Sequence, residues 1–261
     1  MLRIMTIGDV TSPAAAAALA ERLWEIRRLH RIDFLSVNAE NAGFIIGPSA
    51  DTARMLLDKG ADVLTGGNHT LQNQSLFALL ELDNRIIRPA NYPPEAPGIG
   101  YTILLANGYR VLVANVMGRV HIDPVLDCPF TAVKKILSRE EGNYDVAILD
   151  VHAEASGEKA ALGVHFDGCF AAIYGTHTHV PTADLTLLPA GTGYVSDVGM
   201  CGALGGILGI SKESMLKRCL TGIPARYTVA EGELFADAVI FTVDPSNNTC
   251  VSLERARISL T

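Results

Sequence analysis

Positive charge is scarce in this 261-residue chain, where 21 lysines and arginines stand against 28 acids for a net charge of −7. A protein that grips nucleic acid through its phosphates needs a basic stripe, so this composition argues against a phosphate-backbone binder. Cysteine is also sparse. The five present (Cys128, Cys169, Cys201, Cys219 and Cys250) are odd in number and show no C-x-x-C spacing. That argues against a disulfide frame or a structural zinc knot and points to reduced thiols. No apolar run approaches the ~18 residues of a membrane span. Ala14–Ala18 imitate the small-residue end of a signal peptide, but the run before them, Leu2–Ile7, is short and Asp9 interrupts it. The expectation is an unprocessed, cytoplasmic protein with no membrane partner. Linkers, repeats and low-complexity tracts are missing too, and 49% hydrophobic content excludes intrinsic disorder. So much apolar material can build a core without staples, and one domain over residues 1–261 is expected.

What is present is alternation. Short β-rich runs trade places with helical patterns through the first two thirds, the signature of an α/β layer. Leu2–Ile7 reads as a strand, and Ser12-Pro13 caps a helix to about His30. Strands are expected at Asp33–Val37 and Ala61–Thr65, with a helix from about Ser49 through Lys59, closed by Gly60, and another around Ser75–Leu82. Asn107-Gly108 marks a hairpin between Tyr101–Ala106 and Arg110–Asn115. Asp145–Val151 and Ala171–Gly175 read as buried strands with a helical stretch between them. Beyond Asp184 the pattern is β, interrupted by one helix near Lys212–Leu220 and ending in a hairpin of Leu234–Asp244 and Cys250–Ser259. Pro89–Gly100 and Gly199–Gly209 read as long loops, either over a site or as plain surface connections.

Polar clusters fall where these strands end: Asp9, Asn38–Asn41, Asn68-His69, His152, then His177 and His179. Ligands of open α/β sheets bind at the carboxyl ends of strands. Each residue alone has a bland reading. Asp9 could cap the following helix, Asn38 and Asn41 could be turn residues, and His152 could be a hydrogen-bonded core histidine. His177-Thr178-His179 is sharper, because residues two apart on an extended segment face one side. Four of the seven histidines sit at strand ends beside acids and amides; His30, His121 and His165 read as ordinary surface residues. Mixed carboxylate, amide and imidazole donors suit borderline metals such as Fe, Mn or Zn. The donors are too many for one tetrahedral ion, so two ions ~3.5–4 Å apart fit better. Glu40 is the natural bridge between them.

The order Gly67-Asn68-His69, lone His152, then Gly175-Thr176-His177-Thr178-His179 resembles the calcineurin-like metallophosphoesterases. Thr11 stands where that pattern has a histidine, Asn38-Ala39-Glu40-Asn41 replaces its acidic second motif, and Thr70 follows the third. With Ile7-Gly8-Asp9-Val10, Arg88-Pro89-Ala90-Asn91-Tyr92-Pro93, His152-Ala153-Glu154-Ala155 and Ser196-Asp197-Val198-Gly199-Met200, nearly the whole chain is similar to the YmdB-like branch of that superfamily. The Cys201–Gly209 stretch follows the branch only loosely.

The resemblance implies a layered α/β sandwich, two central mixed sheets flanked by helices. It implies a phosphodiesterase acting on 2′,3′-cyclic nucleotides with two divalent or trivalent ions, iron first and manganese or zinc as alternatives. One ion would be held by Asp9, Glu40, Asn41 and His179, the other by Glu40, Asn68, His152 and His177. His69 would be the general acid at the leaving oxygen. The rival readings are another metallo-hydrolase, such as an amidase, and a regulatory protein that senses a nucleotide without turning it over. The expected partner is a small phosphodiester, with RNA not indicated, and the chain is expected to form a homo-oligomer, dimer or tetramer.

Overall fold

The computed structural model describes residues 1–261. In chain order the strands are β1 (Leu2–Ile7), β2 (Asp9–Val10), β3 (Phe34–Asn38), β4 (Val63–Thr65), β5 (Tyr101–Ala106), β6 (Tyr109–Met117) and β7 (Val146–His152). They continue with β8 (Ala172–Thr176), β9 (Thr186–Leu187), β10 (Gly193–Val195), β11 (Met200–Ala203), β12 (Leu234–Asp244) and β13 (Thr249–Ser259). The helices are α1 (Pro13–His30), α2 (Ala50–Asp58), α3 (Phe77–Leu82), α4 (Pro129–Arg139), α5 (Ser156–His165) and α6 (Lys212–Thr221).

The strands divide into two sheets. The first runs β2-β11-β12-β1-β3-β4, with β13 on β12; the second runs β5-β6-β7-β8-β10-β9. Both are mixed. β1, β3 and β4 are parallel while β12 is antiparallel to β1, and β6, β7, β8 and β10 are parallel between antiparallel β5 and β9. Every residue of β3, β7 and β8 is buried, as expected of strands covered on both faces.

Three apolar clusters explain the layering. Ile4, Phe34 and Phe241 of the first sheet meet Val113, Ile148 and Tyr174 of the second in the middle. Leu19 and Leu23 of α1 and Leu56 of α2 cover the outside of the first sheet at Leu35 and Ile240. Val133 and Ile136 of α4 and Leu162 of α5 cover the second at Leu112 and Leu149. The result is helix, sheet, sheet, helix.

Local chemistry sets the ends. Ser12 accepts from the Ala15 N–H with Pro13 in the first turn, and Arg31 closes α1 in a left-handed conformation. The small residues Ala15 and Ala16 that imitated a leader are buried inside this helix. No helix is long and apolar enough to cross a membrane.

The structure departs from the sequence reading at three places. The Gly199–Gly209 stretch is not one loop, because Met200–Ala203 forms β11, which bridges β2 and β12. Helix α4 was not expected, although Pro129 stands in its first turn. His177 and His179 are not on an extended segment. β8 ends at Thr176, and both histidines have left-handed backbone, with φ of 101° and 64°.

Candidate metal centre and its cleft

Five strand ends converge, three from the first sheet and two from the second. Asp9 sits in β2, Glu40 and Asn41 follow β3, Asn68 and His69 follow β4, His152 closes β7, and His177 and His179 follow β8. Candidate ligand atoms of Asp9, Glu40 and His152 all lie within 4.8 Å of one another, and all three residues are buried. The expected edge is therefore a seam between two sheets rather than the rim of one.

Each donor is held by a traceable contact. Asp9 does not cap α1, a task Ser12 performs; its Oδ2 accepts from the backbone N–H of His177 at 3.0 Å. Asn38 Oδ1 accepts from the Glu40 N–H at 3.1 Å, shaping the turn that delivers Glu40. The segment after β8 turns because side-chain acceptors replace the sheet ladder. Asp197 Oδ2 takes the Thr178 N–H at 3.1 Å and its hydroxyl at 2.8 Å, while Asp9 takes the N–H of His177. Asp197 is in turn fixed by Lys159 at 2.7 Å, both side chains 1% exposed. Removing one member would strand a buried charge, which typically costs about 3–5 kcal/mol. Gly67 must lack a side chain, since a β-carbon there would land inside the His152 imidazole.

Hydrogen-bond direction fixes the imidazole tautomers. Thr176 Oγ1 donates to Asp150 Oδ1 at 2.7 Å and therefore accepts from His152 Nδ1 at 2.9 Å. His177 Nε2 lies 3.1 Å from Glu154 Oε2, and His179 Nδ1 donates to the Leu208 carbonyl at 3.1 Å. The opposite nitrogens of His152 and His179 then carry lone pairs. His152 Nε2 faces Asn68 Oδ1 at 2.9 Å, two acceptors with no proton between them, and His177 Nδ1 lies 3.1 Å from the same nitrogen. His179 Nε2 points toward Asp9 Oδ1, 3.9 Å away, and Asn41 Nδ2 at 3.2 Å. Asp9 Oδ1 and Glu40 Oε1 are buried without any partner. Acceptors aimed at one another and orphaned carboxylate oxygens are what a cation satisfies, and the donor set suits one.

The protonation pattern agrees. Burial holds His152 well below the usual imidazole range and lowers His177 and His179 as well, leaving neutral rings of the kind that ligate metals. Burial, then the neighbouring Glu40, Asp197 and Asp150 carboxylates, pushes Asp9 well above its ordinary range. Glu40 goes the other way. Burial raises it, but the imidazoles of His152, His69 and His179 outweigh burial and bring it to about 2. His69 shifts in return: burial would lower it, but the adjacent Glu40 carboxylate outweighs burial and raises it. His69 Nδ1 sits 2.9 Å from Glu40 Oε2 as a close charge contact without hydrogen-bond alignment, while its backbone N–H bonds that same oxygen at 3.0 Å.

Some participants were not expected from the sequence. Asp150, Thr65, Thr176 and the Asn38 side chain form a buried network behind His152, and burial pushes Asp150 up to about 6. The signal was available in one place: a carboxylate inside the otherwise apolar run Val146–Val151 needs partners.

Two concavities lie nearby. A cavity of 610 Å³ between Arg88, the Asn91–Pro94 segment and α4 contains none of the cluster residues. A smaller cleft of 160 Å³ does adjoin it, with Asn41, His69, His177 and His179 in its wall and Phe44, Ile45, Leu208, Ile210 and Tyr227 around them. Phe44, Ile45 and Leu208 have left-handed backbone, with φ of 67°, 59° and 54°. Such non-glycine conformations cost on the order of 1–3 kcal/mol each.

Comparison with known proteins adds independent support. The family model described as "YmdB-like protein" matches residues 5–256. The chain is 38% identical over 258 residues to the 2′,3′-cyclic-nucleotide 2′-phosphodiesterase of Bacillus subtilis, covering 99% of this chain and 97% of that protein. A crystal structure of a hypothetical protein from Thermus thermophilus superposes with a TM-score of 0.90 at 38% identity and 99% coverage of both chains. The calcineurin-like phosphoesterase YfkN from Bacillus subtilis superposes with a TM-score of 0.61 at 12% identity, covering 99% of this chain and 90% of that one, which establishes the shared fold and nothing more.

Proposed function

The chain belongs to the YmdB-like family of metallophosphoesterases, and on that footing we propose that it is a metal-dependent phosphodiesterase that hydrolyses 2′,3′-cyclic nucleotides to nucleoside monophosphates. One observation carries the reading. The lone pairs of His152 Nε2 and Asn68 Oδ1 face each other at 2.9 Å, with His177 Nδ1 3.1 Å from the same imidazole nitrogen, beside the unpartnered oxygens of Asp9 and Glu40. The similarity to the Bacillus subtilis enzyme supports the substrate class.

In this reading Asp9, Glu40, Asn41 and His179 hold one ion, and Glu40, Asn68, His152 and His177 hold the other, with Glu40 shared. Asn41 currently turns its amide nitrogen toward His179, and serving as a ligand requires the carbonyl oxygen in its place. Two bound cations would neutralise phosphoryl oxygens and lower the pKa of water for attack. The protein's own contribution is position and protons. Thr176 and the Leu208 carbonyl fix which nitrogens of His152 and His179 bear protons, and His69, its pKa raised by Glu40, gives its proton to the departing ribose oxygen.

Iron is the first candidate metal, with manganese and zinc behind it, since nitrogen, amide and carboxylate donors serve all three. The cytoplasm is the proposed compartment. The exposed Leu216, Leu220 and Ile223 on and beside α6, a helix with no buried residue, favour a homo-oligomer.

The test is turnover of 2′,3′-cyclic AMP and bis(p-nitrophenyl) phosphate by protein loaded with Fe²⁺ or Mn²⁺, after elemental analysis of the purified protein. Hydrolysis of both supports the reading. Nucleotide binding without product would make the chain a sensor, and cleavage of amides alone would make it another kind of hydrolase.

A further inference from the structure

Of the nine non-glycine residues with positive φ, five line the 160 Å³ cleft: Phe44, Ile45, His177, His179 and Leu208. The two histidines are explained by the metal centre. The other three are not, and an isoleucine in the left-handed region is unfavourable enough to require a reason. Both lips are tied to the centre itself. The Phe44 N–H bonds the Asn41 carbonyl at 2.8 Å and the Gly47 N–H bonds the His69 carbonyl at 2.9 Å, so this loop is bounded by two cluster residues. On the opposite lip the Leu208 carbonyl accepts from His179, and the Gly209 carbonyl holds Ala230 at 3.0 Å, three residues beyond Tyr227.

The cleft is thus an apolar slot held in register with the phosphate-facing groups. At 160 Å³ it is smaller than the roughly 300–1,000 Å³ of pockets that enclose whole drug-sized ligands, so it accommodates one flat moiety. Tyr227 has the Arg218 guanidinium 5.5 Å from its ring centroid, which braces the aromatic wall. Most polar side chains in the cleft belong to the metal centre or bond within the protein, the Tyr227 hydroxyl excepted. Thr11 bonds the Cys201 carbonyl, and Asn41 and His179 bond each other.

Resting on the cyclic-nucleotide reading above, we infer that the Phe44, Ile45, Leu208 and Tyr227 slot is the nucleobase subsite and that it takes the base by stacking rather than by hydrogen-bond readout. Stacking accepts any base face, with modest preferences that follow stacking strength. The enzyme therefore treats the four 2′,3′-cyclic nucleotides within about tenfold of one another, purines ahead.

The experiment measures kcat and KM of the metal-loaded enzyme for the four cyclic nucleotides and for a base-free ester, methyl riboside 2′,3′-cyclic phosphate. Phe44→Gly and Tyr227→Ala are compared with wild type; glycine relieves the left-handed strain, so the first variant keeps its fold. The ratio of kcat/KM for cyclic AMP over the base-free ester should fall about tenfold or more in each, through KM. An unchanged ratio, or a wild type that separates the bases a hundredfold, overturns the subsite while leaving the phosphodiesterase intact. If the wild type leaves cyclic nucleotides untouched, the substrate reading fails instead. Calorimetric binding of adenosine 3′-monophosphate then decides the slot: binding weakened by Phe44→Gly supports it, and binding absent or unaffected overturns it.

Discussion

His152 and Thr176 are joined by a hydrogen bond whose direction is set from behind: Thr176 Oγ1 gives its proton to Asp150, so it can only receive from His152 Nδ1. The imidazole is thereby held with its Nε2 lone pair toward Asn68 and His177. Partners of this kind orient metal-binding histidines, and their loss typically lowers metal affinity about 10–100-fold. Thr176→Val should show that loss in a chelator-competition titration, and Thr176→Ser should recover most of it. Equal affinity in the valine variant would strip Thr176 of the role.

Glu40→Gln tests sharing. Glu40 Oε2 is 3.9 Å from His152 Nε2, and its other oxygen has no partner. Elemental analysis should find both ions depleted together. Depletion of one alone would defeat the bridging assignment.

His69→Ala separates chemistry from metal binding. The ring is in contact with Glu40 and lines the cleft. Metal content should be retained while kcat falls about 10²–10⁴-fold, the usual worth of a positioned acid. Parallel loss of metal would reassign His69 as a ligand.

Asp150 predicts a pH effect. Burial raises it from 3.8 to about 6, so between those values the folded chain keeps a proton that the unfolded chain has lost. Its stabilising contribution is full below the unfolded value and is lost as pH rises through about 6. The thermal midpoint of metal-free Asp150→Asn relative to wild type should therefore climb between about pH 4 and 6 and level off above. A pH-independent difference would contradict the assignment.

Much of this site was legible because strand ends announce themselves. Leu2–Ile7 followed by Asp9, and the buried run ending in His152, needed only periodicity and a polar stop. Ser12-Pro13 and Asn107-Gly108 marked a helix start and a hairpin by local chemistry alone. What could not be read was pairing. Nothing local says that β3 belongs with β1 and β4 while β7 belongs with β6 and β8, so the strand ends read as a single edge. The backbone at His177 and His179 was hidden for a related reason, because its shape is dictated by Asp9 and Asp197, 168 residues before and 19 residues after the groups they bond. Lys159 in α5 looked like any helical lysine until packing placed it against Asp197.

The convergence of β2, β3 and β4 with β7 and β8 has a mechanical corollary. The two halves of the sandwich meet here, among other places, through donors that belong to different slabs. Ion capture would then rivet slab to slab, and stripping the ions would leave the seam beside Asp9 and His152 as the place where the protein first gapes.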